Sequence, residues 1–215
     1  MMDKFSRQRA HMIESQIKGR GVLARDVLEV LADVPRHLFV PEELQKYAYD
    51  DHPVDIGYGQ TVSQPYIVAF MTEILHLCAT HRVLEIGTGS EYQTAVLSRL
   101  AAFVYTVEIV EPLSMKARAA LTRLGHDNVA FRCGDGRLGW PQEAPFDAIM
   151  VTAAPVQIPS ELCAQLKEGG RLVLPVGGAD QELVLVRKEG GRIVHQSLFP
   201  VRFVPLVSGP DIHGE

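Results

Sequence analysis

Apolar positions follow two different spacings along this chain, and the change between them divides it. Over residues 4–18, Phe5, Met12, Ile13 and Ile17 stand among polar residues as a loose helical stripe, ended by Gly19 and Gly21. Over residues 25–34, Val27, Leu28, Val30 and Leu31 share one face, and Pro35 closes the segment. Residues 37–64 have no clean period. They contain Pro41, Asp50, Asp51, Pro53, Asp55, Gly57 and Gly59, together with Phe39, Tyr47, Tyr49 and Tyr58. A long irregular segment in a compact domain is usually functional or disordered. The aromatic residues, with Tyr66 just beyond, argue against disorder.

An apolar helix is predicted over residues 65–77, and after it short strands alternate with helices. The strands are expected at 82–86, 103–107, 129–132, 146–151 and 171–176. The helices are expected at 92–100, at 112–124 with Pro112 at its start, and at 160–166, the last stopped by Gly169-Gly170. Such alternation implies parallel βαβ units and a doubly wound α/β sheet covered on both faces. Residues 182–187 and 193–204 are strand-like, and Lys188-Glu189-Gly190-Gly191 between them has the composition of a hairpin turn. The sheet should therefore be mostly parallel, with N-terminal helices and an antiparallel C-terminal element. With 215 residues, 47% of them apolar, one well-filled core is expected. We divide this single domain into a helical and loop portion at 1–80, a ligand-binding core at 81–176 and C-terminal strands at 177–215.

Candidate chemistry sits on the first strand and its turn, Val83-Leu84-Glu85-Ile86-Gly87-Thr88-Gly89-Ser90. Ligands of doubly wound sheets bind beyond the carboxyl ends of the strands. A dinucleotide fingerprint needs a third glycine where this chain has Tyr92, and Glu85 would repel a pyrophosphate. A carboxylate there suits a cationic ligand such as S-adenosyl-L-methionine (AdoMet), which carries an ammonium and a sulfonium. Glu108, about 20 residues past the glycines, stands where an acid accepts ribose hydroxyls. Asp135, between Gly134 and Gly136 after the third strand, is placed to accept from an adenine amino group. Each acid alone also fits a solvated carboxylate at a strand end.

Charge and composition narrow the classes. The formal net charge is −5 and no Lys/Arg cluster stands out, which argues against a nucleic-acid partner. No apolar run approaches the ~20 residues of a membrane helix, and residues 1–9 are too polar for a secretory signal. A soluble cytoplasmic protein is expected. No apolar stripe is left over to suggest more than a monomer. Cys78, Cys133 and Cys163 are widely spaced, and Cys133 and Cys163 have apolar neighbours, so all three are read as structural thiols. No metal site is expected, because the eight histidines show no ligand spacing.

Longer motifs sharpen this picture. Gly57-Tyr58-Gly59-Gln60-Thr61-Val62-Ser63-Gln64-Pro65 is followed by Met71-Thr72-Glu73. With them stand residues 83–90, Thr106-Val107-Glu108, Gly134-Asp135-Gly136, Gly139-Trp140-Pro141, Phe146-Asp147, Val151-Thr152-Ala153-Ala154 and Phe199-Pro200-Val201-Arg202-Phe203-Val204-Pro205-Leu206. Across nearly its whole length the chain resembles the protein-L-isoaspartate O-methyltransferases, and the Thr-x-Ser-Gln-Pro segment is more diagnostic than the glycine turn. The resemblance implies a seven-stranded, Rossmann-like methyltransferase sheet with variant final strands. It implies AdoMet as methyl donor, and isoaspartyl residues of damaged proteins and peptides as acceptors. Ser63 would be the catalytic serine. Glu85, Gly87, Thr88, Gly89, Ser90, Glu108, Ile109, Asp135 and Gly136 would line the cofactor pocket. Thr61, Ser63, Gln64 and Val204 would meet the acceptor, in a groove formed by residues 53–64 and 199–206.

Two points stay open at this level. Ser63 before Gln-Pro is also a good helix N-cap. Glu91 stands where the family usually has glycine, either as an ordinary acid in a first helical turn or as a residue forced into a glycine's conformation. The alternatives are a methyltransferase with another acceptor such as a small molecule, a catalytically weakened or silent AdoMet-binding homologue with Glu91 as its lesion, and an NAD-linked oxidoreductase.

Overall fold

The computed structural model describes residues 4–209. The N-terminal stripe forms α1 (Ser6–His11), continues through a π-helical turn (Met12–Ile17) and a 3-10 turn (Lys18–Arg20), and reverses at Gly21, whose φ is 90°. Met12 and Ile17 are completely buried, and Phe5 and Ile13 nearly so. In α2 (Arg25–Asp33), Val27 and Leu31 face inward. Val34 is extended, as a residue before proline should be, and ends the helix.

The segment without a period is more regular than expected. It folds as two 3-10 turns (Arg36–Phe39, Glu42–Tyr47) and a hairpin of β1 (Val54–Gly57) and β2 (Gln60–Val62), turning at Tyr58-Gly59. Val54, Ile56 and Val62 point inward while Asp55 and Thr61 point out. Helix α3 (Pro65–Ile74) follows. Its N-cap is Gln64, with no side-chain cap bond, so the alternative that Ser63 caps this helix does not hold: the helical register begins one residue later, at Pro65.

The main sheet contains β3 (Arg82–Ile86), β4 (Phe103–Glu108), β5 (Val129–Cys133), β6 (Phe146–Val151), β7 (Leu166–Gly177), β8 (Gln181–Glu189) and β9 (Arg192–Val201), in the order β5-β4-β3-β6-β7-β8-β9. The first five are parallel, connected by α4 (Tyr92–Leu100), α5 (Glu111–Arg123), loops and α6 (Ser160–Ala164). Strand direction of winding reverses at β3, between β4 and β6, which is the ligand-binding position of this architecture. β3 is buried on both sides. Val83 packs with Val104, Ala148, Met150 and Leu97 on one face, while Leu84 and Ile86 pack with Ile149, Val151, Leu172 and Leu162 on the other.

The last strands form the antiparallel element that was expected. Gly190 and Gly191 turn β8 into β9 at φ 60° and 74°, the left-handed pair a two-residue hairpin requires. Three details differ from the sequence reading. α6 ends at Ala164, and Gly169-Gly170 lies inside β7, where the pairing jumps from Phe146↔Leu166 to Ala148↔Arg171. Pairing in β9 ends at Val201, and the chain then returns to the sheet's carboxyl edge through Ala154 N–H to Val204 O and Leu206 N–H to Ala154 O, both 2.8 Å. Cys133 is exposed despite its apolar neighbours, because it ends an edge strand; Cys163 is buried. No helix among the described residues is long and apolar enough to cross a membrane.

Candidate active site

The turn between β3 and α4 is tied down by strand ends on either side. Thr152, just past β6, donates from Oγ1 to the Gly87 carbonyl at 2.7 Å, and a Cβ placed on Gly87 would stand 2.4 Å from that oxygen. Gly87 also has φ 93°, so both space and conformation require glycine here. Gly89 at φ 50° faces open space instead. Glu85, completely buried, accepts on Oε2 from Thr94 at 2.5 Å and Thr106 at 2.7 Å. Thr106 having spent its proton there, the 2.6 Å bond between Thr88 and Thr106 must be donated by Thr88. Glu85 Oε1 has no partner among the described residues, and burial pushes the carboxyl up to about 8. Glu108 Oε2 accepts from Gly89 N–H at 2.8 Å, and its Oε1 from Ile109 and Val110 N–H, each at 2.9 Å. Ser90 is buried beside the α4 start.

Asp135 is engaged differently. It caps the short turn Gly136–Leu138, and Arg137 holds both carboxylate oxygens, with Nη2 to Oδ2 at 2.7 Å; that guanidinium keeps the carboxyl below its usual range. Gly136 packs under Ile86 with no room for a Cβ.

Glu91 is the residue immediately before α4, at φ 65° and ψ −9°, the left-handed region that costs an L residue about 1–2 kcal/mol. Its side chain is not a solvated first-turn acid. The residue is 1% exposed, its Oε1 has no partner among the described residues, and burial pushes the carboxyl up to about 7, with Lys116 opposing and Glu108 adding to the shift. The structure thus places Glu91 in a glycine's conformation, beside the two acids of the turn.

The loop that carries Ser63 is held from outside. Gln64 donates to Asp51, at 2.8 Å to Oδ1 and 3.1 Å to its carbonyl, and Arg20 pairs with the same carboxylate. The Ser63 carbonyl accepts from Arg36 Nη2 at 2.7 Å, while the Ser63 hydroxyl bonds to none of the described residues. Thr61 is exposed on the hairpin, and Val204 lies in the returning tail. Arg36 also stacks on Tyr92, 4.9 Å from the ring centre, so the segment carrying Ser63 is tethered to the first residue of α4.

The sequence profile of the protein-L-isoaspartate(D-aspartate) O-methyltransferases matches residues 7–211. The chain belongs to this family. Among its relatives is a protein-L-isoaspartate O-methyltransferase of Opitutus terrae, 54% identical over 200 residues, spanning 92% of this chain and 86% of the relative. Another, of Syntrophus aciditrophicus, is 51% identical over 211 residues, spanning 96% and 97%. A solved protein-L-isoaspartate O-methyltransferase superposes with a TM-score of 0.82 at 32% identity, covering 95% of this chain and 67% of that one. A second solved structure, described as a candidate enzyme of this type from Plasmodium falciparum in complex with S-adenosyl-L-homocysteine, gives a TM-score of 0.82 at 26% identity, covering 94% and 99%.

Membership in the protein-L-isoaspartate O-methyltransferase family makes this chain an AdoMet-dependent methyltransferase and removes the oxidoreductase alternative. It also directs attention to residues that sequence reasoning did not assign. Thr94, Thr106 and Thr152 carry the polar framework of the turn, and Arg36 holds the loop that carries Ser63. Thr106 and Thr152 lie inside motifs that carried the resemblance. Arg36 lies in Pro35-Arg36-His37, where nothing in the local pattern marks a buried charge.

Proposed function

We propose that this protein transfers the methyl group of AdoMet to the α-carboxylate of L-isoaspartyl residues in damaged proteins and peptides. The observation that carries the donor assignment is Glu85, a fully buried carboxyl with an unpartnered oxygen, next to Glu108 at the point where the sheet reverses. A buried acid short of a partner is matched by a cationic ligand. The residues fit AdoMet. Glu85 and Glu108 supply negative charge, Gly89 leaves open space, and Gly87, Thr88, Ser90, Ile109 and Gly136 form the surrounding wall. Of the roughly four lone-pair sites of a carboxylate, three on Glu108 are taken by backbone N–H groups, which leaves one for a ribose hydroxyl. Arg137 engages both Asp135 oxygens, so Asp135 would serve an adenine amino group by exchanging one of these guanidinium contacts for it.

When bound, AdoMet supplies a methyl group activated by the positive sulfur. An acceptor carboxylate has an ordinary pKa of about 4 and is ionised at neutral pH, so the protein needs no general base. Its task is alignment and exclusion of water, and alignment can be worth up to about 7–11 kcal/mol. The Ser63 hydroxyl, free of the helix cap, is available to orient the acceptor carboxylate. Thr61 and Val204 would border the groove. Gln64 would act on its shape, because its amide nitrogen is already committed to Asp51. In the methyl ester so formed the acceptor's own backbone amide nitrogen attacks the ester carbonyl and gives up its proton as methanol leaves, closing a succinimide that water opens in part to normal aspartate.

The experiment is incubation with radiolabelled AdoMet and matched peptides containing aspartate or isoaspartate. Base-labile label confined to the isoaspartyl peptide is the expected result. Label on a small acceptor alone, or S-adenosyl-L-homocysteine (AdoHcy) binding without any transfer, would overturn it.

A further inference from the structure

Among the described residues, Arg36 is the largest side chain with no solvent exposure. Burial pushes its guanidinium down to about 10, so it stays charged at neutral pH, yet among the described residues it has no carboxylate partner. It donates from Nε to the Ala48 carbonyl at 2.6 Å and from Nη2 to the Ser63 carbonyl at 2.7 Å, and its Cζ stands over the Tyr92 ring, 4.9 Å from the centre. Arg36 Nη1 and the Tyr92 hydroxyl are both buried and neither completes a hydrogen bond among the described residues. A lone buried charge is a poor device for stability. As a directional one it is well made: a rigid fork reaches two carbonyls that a lysine's single point could not hold together, and a cation over an aromatic face is attracted to it.

We propose that Arg36 is a positioning residue for methyl transfer, fixing Ser63 against the first turn of α4 and therefore against the donor turn that ends at Glu91. The role rests on Ser63 orienting the acceptor, as proposed above. Arg36 acts through the backbone of Ser63 and touches no reactant. Three separated pieces of chain meet at one guanidinium: the loop at Ala48, the end of the β1–β2 hairpin segment at Ser63, and Tyr92. Loosening this junction would let the Ser63 hydroxyl drift, and a displacement of about 1 Å can cost on the order of 100-fold in rate. The donor turn would be untouched, because its own ties run through Thr94, Thr106 and Thr152.

The test combines Arg36→Lys and Tyr92→Leu with Ser63→Ala, measuring kcat and KM on an isoaspartyl peptide and, separately, AdoHcy affinity by calorimetry. Wild-type transfer to the isoaspartyl peptide is the control; its absence would overturn the proposed reaction and the role of Arg36 with it, whereas wild-type transfer that the Arg36 variants leave unchanged would overturn the role alone. R36K is expected to lower kcat at least tenfold with AdoHcy affinity within threefold of wild type. In the S63A background the same change should have no further effect, since a residue acting through another loses its influence once that partner is gone. Tyr92→Leu keeps both carbonyl bonds and serves if R36K does not fold; a kcat loss of threefold or more that also vanishes with S63A is expected. Undiminished kcat, losses that multiply with S63A, or AdoHcy affinity falling in step with kcat would each overturn the proposal.

Discussion

The turn proposed to hold the donor is a single continuous stretch, Glu85 to Glu91, seated on β3, the middle of the five parallel strands, and braced by the ends of its neighbours β4 and β6. The loop proposed to hold the acceptor is assembled from parts far apart in sequence, joined by a few polar ties: Arg36 to Ser63, Gln64 to Asp51, Arg20 to Asp51. One half inherits its rigidity from the sheet; the other depends on individual side chains. Lesions of the two halves should therefore look different. Damage to the turn should take stability and cofactor affinity together. Damage to the loop should take turnover alone, which is what the Arg36 variants measure.

The hardest blow to the donor half is Gly87→Ala, which must fit a Cβ 2.4 Å from Thr152 Oγ1 at φ 93°. Strain and overpacking together are expected to cost about 3 kcal/mol, or about 6–12 °C in melting temperature, with AdoHcy binding lost. A stable, AdoHcy-binding G87A protein would break the comparison. Smaller and opposite in sign is Glu91→Gly, which removes a left-handed L residue and a buried oxygen without a partner. It should stabilise the ligand-free protein by about 1–2 kcal/mol; thermal melting without such a gain would mean that Glu91 is not strained. Titrating AdoMet alongside shows whether its carboxyl also weakens or strengthens the pocket.

Proton linkage gives the finest test. Glu85 and Glu91 are pushed by burial from an ordinary 4.5 to about 8 and about 7. With folded values above unfolded ones, their contribution to stability is complete below about pH 4.5 and is lost as pH rises through about 7 and 8. A cationic ligand favours the ionised acids, so AdoMet binding near pH 7 should release protons, and more of them than neutral-sulfur AdoHcy. Calorimetry in two buffers of different ionisation enthalpy reads this directly, and equal release by both ligands would contradict it.

The contrast between halves also explains what could be read beforehand. The donor turn was legible because its acids and glycines lie within one strand–turn–helix unit, whose periods are strong: α4 and β6 fall where the pattern put them. The β1–β2 hairpin escaped because its alternation lasts four residues and is diluted by Gly57, Tyr58 and Gly59. Ser63 resembled a cap because caps are judged by residue type, whereas the helix start is set by Pro65. Arg36 was invisible because its partners are carbonyls at Ala48 and Ser63, and backbone partners leave no mark in composition.

The returning tail has a consequence for the order in which the molecule comes into being. The strands that carry the donor turn, β3, β4 and β6, are synthesised well before Val204 and Leu206, which close against Ala154. Synthesis runs from the N-terminal side and a domain folds as a unit, so the strands of the proposed donor seat leave the ribosome while the residues that close the edge beside it are still to come. Closure of the proposed groove then waits for Val204 and Leu206 to reach Ala154.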